Sequence, residues 1–165
     1  PAGFTRGRVF GVNDMAIEPN QKQRDDLYKF GLNPISSFKE GFVIFGQKTL
    51  QKQPGAFDRI NVRRLFLILE KITKATSRYY IFEPNTLFTR TRFKDDLRPI
   101  FEKAKRNEGV YDYILVCDER NNTPDVIDAN EMVMDIYIKP VRAAEFILVN
   151  FYATRTGTDF EELIG

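Results

Sequence analysis

The chain has 165 residues, 42% hydrophobic and 29% charged, with a net charge of +2, which is typical of one globular domain with its own core. It contains no histidine and a single cysteine, Cys117, which excludes intrachain disulfides, metal sites built on histidine or several cysteines, and histidine-based catalytic triads. No apolar run approaches the length that spans a bilayer, so membrane insertion is not expected.

The charges are distributed unevenly along the chain. Residues 1–109 hold 21 Lys and Arg against 12 Asp and Glu, whereas residues 110–165 hold 4 against 11. A basic first part followed by an acidic last part has two interpretations. The two parts neutralise each other within one fold, or opposite faces of separate copies attract each other.

The first part of the chain predicts short elements separated by turns. Residues 1–14, rich in glycine, are predicted to form a bent extended segment, and residues 21–30 a short helix that ends at Gly31. Residues 35–38 and 42–45 are predicted strands joined by a tight turn.

The stretch from residue 58 to residue 82 predicts the central helix, with Asp58 as its N-cap. Its apolar side chains recur at the three-and-four spacing of one helical face: Leu65, Ile68, Leu69, Ile72 and Tyr79. Because Phe66 and Leu67 lie outside this stripe, we expect the helix to be covered on more than one side.

A second long helix is predicted to run to about residue 107, with Asn85 or Thr86 as its cap. Its apolar face consists of Phe93, Leu97, Ile100, Phe101 and Ala104. Pro99 lies inside it and is expected to kink the helix or split it at Arg98, because proline removes a backbone donor and crowds the preceding turn.

Beyond residue 109 the pattern becomes typical of strands, at residues 110–117, 132–138 and 145–153. The last of these is apolar on both faces and is expected to be sandwiched. These elements predict an α/β fold, more narrowly α+β: a mixed β-sheet covered by two main helices, with an extended C-terminal arm.

We expect residues 1–153 to form the domain and residues 154–165 to form the arm. Residues 154–165 are polar and short, so they are either a frayed terminus or an arm that binds another subunit, with Phe160 and Leu163 as anchors. Because the chain starts at Pro1 and its first methionine is Met15, it is expected to be a piece of a longer polypeptide.

Several sequence strings occur in an order that resembles a known family. They are RDDLY and GLNPI (residues 24–28 and 31–35), VIFGQKTL (43–50), DRINVRRL (58–65), FEPN (82–85), NTP (122–124), ID (127–128), KPVR (139–142) and AEFI (144–147). Together they resemble the C-terminal portion of the tail sheath protein of contractile-tailed bacteriophages, over nearly the whole chain.

The resemblance implies a structural virion protein and not an enzyme, without a cofactor. In that family, subunits stack as rings around an inner tube, terminal arms donate strands to neighbouring copies, and contraction drives the tube through the host envelope. The implied partners are other sheath subunits, the tail tube protein, and the baseplate and tail terminator proteins. Nucleic acid is not among them, and assembly in the host cytoplasm is implied.

The resemblance also directs attention to two sets of residues. The expected inter-subunit arm residues are Phe151, Tyr152, Phe160, Glu161, Glu162 and Leu163. The expected tube-facing or inter-subunit charges are Arg59, Arg63, Arg64 and Lys71, for which a solvated helix face or pairing within the domain is the alternative. Arg142 and Glu145 are expected to form an internal pair.

Three other functions stay open on the sequence. The sheath of a related injection machine, a type VI secretion system or a phage-tail-like bacteriocin, shares the implied architecture. An enzyme would use a magnesium site formed by Asp112, Asp118, Asp125, Asp128 and Asp135, although such residues also favour turns. A nucleic-acid-binding module would use Arg90, Arg92, Lys94 and Arg98, interleaved with Phe88 and Phe93.

Overall fold

The computed structural model of the protein describes residues 2–145 and 147–150. Its helices are α1 (Gly3–Arg6), α2 (Gln21–Lys29), α3 (Ile60–Ser77), α4 (Leu87–Arg106) and α5 (Pro124–Asp128), with a 3₁₀ turn at Arg78–Tyr80. Its strands are β1 (Ile35–Phe38), β2 (Gly41–Ile44), β3 (Val110–Val116) and β4 (Asp135–Pro140). The predicted α+β class is confirmed. No helix in the described ranges is both long and apolar enough to cross a membrane.

The strands of the described residues form two separate antiparallel pairs, not one mixed sheet. β1 pairs with β2 from Ile35↔Ile44 to Phe38↔Gly41. β3 pairs with β4 with Val116 opposite Asp135, and a bulge follows Val110. Both pairs join strands adjacent in the described order, and neither contains the parallel pairing that a mixed sheet requires.

The predicted third strand of the large sheet is not formed by the residues that the structure describes. Glu145 and residues 147–150 lie outside any strand. Ile147, Leu148 and Val149 are 84%, 87% and 61% exposed, so the expectation of a sandwiched strand was wrong for them. Alternation of apolar residues on both faces indicates that a segment needs cover, but it does not say that the cover comes from the same chain.

The core lies between the two long helices and one face of the β3–β4 sheet. Its buried members are Leu69, Phe93, Leu97, Phe101 and Cys117. The Phe101 ring packs on Tyr113 of β3 with ring centroids 5.2 Å apart. The opposite face of the sheet therefore receives no cover from α3 or α4.

Helix α3 begins two residues after its predicted cap. Arg59 is the N-cap residue and makes no side-chain cap bond, so the expectation for Asp58 was wrong. The Asp58 carbonyl instead accepts a hydrogen bond from the Thr49 amide at 3.1 Å. Asp58 therefore belongs to the segment that leads into the helix.

The buried stripe of α3 is rotated relative to the prediction. Val62 and Leu69 are buried, whereas Ile68 is 52% exposed and Tyr79 is 83% exposed. Tyr80 packs on Phe93 in place of Tyr79, with ring centroids 4.6 Å apart. The chain tightens into a 3₁₀ turn after Ser77, which advances the side chains faster than the period of 3.6 assumed for an α-helix.

Helix α4 matches its prediction closely. The Thr86 hydroxyl accepts a hydrogen bond from the Thr89 amide at 3.3 Å, and Phe93, Leu97 and Phe101 are buried as expected. Of the two outcomes expected at Pro99, a kink or a split at Arg98, the split does not occur, because Pro99 lies within one uninterrupted helix. Burial of Leu97 and Phe101 on either side of the proline holds the helix together across the missing hydrogen bond.

The opening of the chain combines a short helix with an extended segment. After α1, the Val9 amide donates to Phe42 and the Ile44 amide donates to Gly7, at 2.9 and 2.7 Å. A Cβ at Gly7 would lie 2.7 Å from the Ile44 carbonyl oxygen, so this approach requires glycine. The expected extended segment is therefore found only after Arg6.

Truncation of the core at Leu97 should be strongly destabilising, because its side chain is fully buried between α4 and the sheet. We expect Leu97→Ala to lower the free energy of unfolding by about 2–5 kcal/mol in urea titrations. The matched control is Leu87→Ala on the same helix, where the side chain is 57% exposed. Equal losses for both variants would contradict the core assigned to α4.

Candidate inter-subunit surfaces

The β3–β4 sheet presents an apolar outer face and strands with only one neighbour each in the described residues. Ile114 and Tyr137 are cross-strand partners on that face, 58% and 61% exposed. Tyr111, at the bulge, is 61% exposed. Strand edges with free backbone groups beside an apolar face are suited to receive a further strand.

The segment after β4 carries the type of sequence that could supply such a strand. Ile147, Leu148 and Val149 form an exposed apolar run. Isoleucine and valine are β-branched, which favours extended pairing on a pleated surface. The expected arm residues Phe151, Tyr152, Phe160, Glu161, Glu162 and Leu163 lie outside the described residues.

Three of the four expected tube-facing charges share one face of α3. Arg63, Arg64 and Lys71 are exposed, and none forms an ion pair within the described ranges. The same face exposes Leu67 by 47% and Ile68 by 52%. We call these five residues the α3 outer face, a surface that combines positive charge with apolar area.

Arg59 lies elsewhere and is engaged within the domain. Its Nε and Nη2 atoms donate to the two carboxylate oxygens of Glu145, at 2.5 and 3.0 Å. Its Nη1 lies 3.3 Å from an Asp58 carboxylate oxygen. Arg142 was expected to pair with Glu145, and this was wrong: the Arg142 guanidinium donates to the Gly55 carbonyl at 2.9 Å.

The surroundings of Glu145 favour its charged form. Burial by itself raises the pKa of Glu145, but hydrogen bonds from Arg59 and Tyr28 and the positive charge of Arg59 outweigh burial and bring that pKa below its ordinary value. Burial and the neighbouring carboxylate raise the pKa of Tyr28 to about 12. The ion pair is therefore fully formed at neutral pH.

The aspartates proposed for magnesium do not converge among the described residues, where no group of three or more potential ligands is found. Asp118 pairs with Arg120 at 2.8 Å, and Asp112 pairs with Lys105 at 2.9 Å. Asp118 accepts from the Arg120 amide within a turn, as the turn interpretation predicted for it, whereas Asp112 pairs from strand β3 with helix α4.

The residues proposed for nucleic acid are divided between the core and the surface. Phe93 is a core residue. Arg90 is 5% exposed and donates to the Asn85 side chain at 3.0 Å. Arg98 pairs with Asp95 at 3.2 Å, so negative charge lies within the same stretch of α4. Arg90 and Phe93 are therefore not available to a nucleic-acid partner, and the charge of Arg98 is balanced by Asp95.

An aromatic surface near the end of α3 was missed by the sequence analysis. Tyr79, Phe82 and Phe88 are 83%, 103% and 76% exposed. Phe82 adopts a positive φ of 70°, which is rare for a bulky side chain. Helical periodicity had assigned Tyr79 to the core, and no local pattern marked Phe82 as exposed.

The family profile described as the phage tail sheath C-terminal domain matches residues 52–154. The matched region covers α3, α4, the β3–β4 sheet and the segment after it. The chain belongs to this family.

Curated tail sheath proteins of three phages are similar to the chain. The protein of Vibrio phage KVP40 is 48% identical over 100% of this chain, and that of Enterobacteria phage T4 is 46% identical over 100%. The protein of Salmonella phage ViI is 40% identical over 99% of the chain. The chain spans only 25% or 26% of the length of these relatives.

Solved structures of contractile injection systems share the fold. A chain of the anti-feeding prophage baseplate superposes with a TM-score of 0.80 at 26% identity, covering 90% of this chain and 43% of that one. A chain of the contracted PVC sheath complex, an extracellular contractile injection system, gives a TM-score of 0.83 at 23% identity, covering 95% and 45%.

Stability should depend on pH through Glu145. Its pKa is lowered in the folded chain, so its contribution is complete above its ordinary value of 4.5 and is lost as pH falls through the folded pKa. We expect Glu145→Gln to be about 1–3 kcal/mol less stable than the unmodified chain at pH 7, with a difference that shrinks in acid.

Urea titrations between pH 7 and pH 2 measure this difference. Glu119→Gln is the control at pH 7, since Glu119 is exposed and forms no ion pair within residues 2–145 and 147–150. A stability difference for Glu145→Gln that grows as pH falls would have the wrong sign for this ion pair.

Proposed function

We propose that the chain is the inner, C-terminal domain of a contractile tail sheath subunit. The subunit polymerises around a tail tube through exchanged terminal strands and contracts to drive the tube through the host envelope. It acts as a structural protein and not as an enzyme. The observation that carries the proposal is the β3–β4 sheet with exposed edges and outer face, in a chain that also exposes an apolar run at residues 147–149.

Strand exchange follows from the way these two features complement each other. The outer strand edges offer backbone donors and acceptors, and residues 147–149 offer an apolar stretch that lacks cover in the described chain. Pairing between copies satisfies the backbone groups and buries Ile114 and Tyr137 beside the incoming strand. The exchanged strand then begins inside the predicted domain of residues 1–153, and residues 154–165, the predicted arm, continue it.

The α3 outer face is the surface we assign to the tail tube. Its charges are exposed, and Leu67 and Ile68 add apolar area between them. An exposed ion pair contributes only about 0–1 kcal/mol and is screened by salt, but the contact repeats in every subunit of a polymer. Many weak contacts suit a sheath that must release the tube during contraction, because each of them is easily broken.

The remaining partners follow from the helical array. Heterologous contacts that do not close generate an open polymer, which needs a baseplate to start it and a terminator to end it. The virion is then the site of function and the host cytoplasm the site of assembly. A related injection machine is the second candidate. Phage is favoured because identity to phage sheath proteins is 40–48%, against 23–26% for the injection systems.

Removal of the arm should abolish polymers without unfolding the domain. We expect the full-length sheath protein lacking residues 154–165 to give no tubular polymers in electron micrographs, because the arm no longer reaches the neighbouring copy. Its thermal unfolding should stay close to that of the intact protein. The double variant Phe160→Ser with Leu163→Ser keeps all residues of the full-length protein, so it tests the two anchor side chains apart from the length of the arm. Normal polymers from the truncated protein would remove the arm from the mechanism.

Reversal of charge on the α3 outer face should weaken tube binding while self-assembly continues. For Arg64→Glu with Lys71→Glu in the full-length protein, we expect roughly 5- to 30-fold weaker co-sedimentation with preassembled tubes at low salt, at about 0.5–1 kcal/mol per charge. Lys22→Glu with Lys39→Glu reverses two exposed charges outside α3 and is the matched control. Equal losses in both variants would contradict the assigned tube surface.

A further inference from the structure

The segment that follows β4 is attached to the start of α3 and to the loop before it by side chains, before the exposed apolar run begins. Three contacts form the attachment: Asn61 Nδ2 to the Val141 carbonyl at 3.4 Å, Arg142 Nη2 to the Gly55 carbonyl at 2.9 Å, and Arg59 to both carboxylate oxygens of Glu145. The partners are 80, 87 and 86 residues apart in sequence. The segment is therefore held by tertiary contacts and not by its neighbours along the chain.

The Arg59–Glu145 pair is the strongest of these contacts and the last along the chain. It is the only one of the three with charge on both partners, and two parallel bonds of 2.5 and 3.0 Å fix its orientation. The side chains of Arg59 and Glu145 are 25% and 15% exposed, so water screens the pair little. Residues 147–149 follow it and are exposed.

The backbone of Arg59 is itself held on both sides. The Ile60 amide donates to the Gln47 carbonyl at 2.8 Å, and the Thr49 amide donates to the Asp58 carbonyl at 3.1 Å. Arg59 is also the N-cap residue of α3, so its position is that of the helix. A force applied at Glu145 therefore reaches α3 directly.

We propose that the Arg59–Glu145 pair is the anchor that fixes the root of the C-terminal arm to α3. Both are positioning residues: they set where the arm leaves the domain, and they couple a pull on the arm to the helix that carries the α3 outer face. The coupling rests on the proposed sheath function, whereas the anchoring itself is a property of the isolated chain.

The anchor determines how much slack the arm has. Without the contacts at Arg142 and Glu145, the arm would leave the domain at Val141, and residues 142–145 would add up to roughly 13 Å of extended chain. A longer free connection lowers the effective concentration of the arm at a neighbouring edge. It also allows subunits to separate before the arm becomes taut.

Pulsed electron resonance on the 165-residue chain tests the anchor. Spin labels are placed at Ile147→Cys and Lys74→Cys, both exposed positions. Cys117 is buried, so labelling is confined to the introduced thiols. We expect a single narrow distance distribution in the chain with the anchor intact, and at least a twofold broader one with Glu145→Gln.

Three further variants make the result decisive. Arg120→Gln breaks the exposed Arg120–Asp118 pair and should leave the distribution narrow. Arg59→Lys keeps the charge but not the two parallel bonds, and it should give an intermediate width. Glu145→Asp shortens the side chain and replaces Glu145→Gln if that variant unfolds. An unchanged narrow distribution in folded Glu145→Gln, or in its Asp replacement, overturns the proposal.

Polymerisation of the full-length protein tests separately whether the anchored root serves assembly. We expect Glu145→Gln to raise the protein concentration at half-maximal polymer formation by threefold or more, because slack at the root weakens arm capture. Broadened distances with unchanged polymerisation would overturn the coupling to assembly. If the unmodified full-length protein forms no polymers, the proposed sheath function fails, while the distance measurement still decides the anchor.

Discussion

The packing of α3 and α4 against one face of the β3–β4 sheet determines which surfaces of the domain stay available. Leu69, Leu97 and Phe101 fill the space between helices and strands, so that one face of the sheet is closed. A two-stranded sheet has marginal stability without such cover. Because α3 and α4 both pack on the same face, Ile114 and Tyr137 stay exposed on the opposite face, next to the strand edges.

The same packing gives the basic residues at and after the start of α3 different surroundings. Arg59 precedes the first turn and points to Glu145 in the acidic last part of the chain, whereas Arg64 and Lys71 lie on the side opposite the buried stripe. Among the described residues, Arg59–Glu145 and Lys105–Asp112 join the basic and acidic parts. The basic and acidic parts of the described chain therefore neutralise each other only at these two ion pairs, and the α3 outer face keeps its positive charge.

The long helices were predictable because their apolar periodicity extends over several turns, as in α4 from Phe93 to Phe101. The end of α3 was not predictable, because the 3₁₀ turn that packs Tyr80 in the core, where Tyr79 had been expected, depends on contact with Phe93. The partner of Glu145 was assigned to nearby Arg142, since nothing local points to Arg59, which lies 86 residues away. The mixed sheet was inferred from a strand pattern at residues 145–153 whose cover was sought in the same chain.

An exposed strand edge and an uncovered apolar run in one chain are a hazard unless their pairing is restricted. A slip of one residue reverses the faces of a strand, so Ile147 and Leu148 exchange places between the apolar side and solvent. In the strand exchange proposed above, a root fixed at Glu145 limits the registers that the arm can reach, because residues 142–145 add no slack. Under that proposal the partly buried Arg59–Glu145 pair bears on specificity of assembly as much as on stability, and its charge keeps the restriction in force at neutral pH.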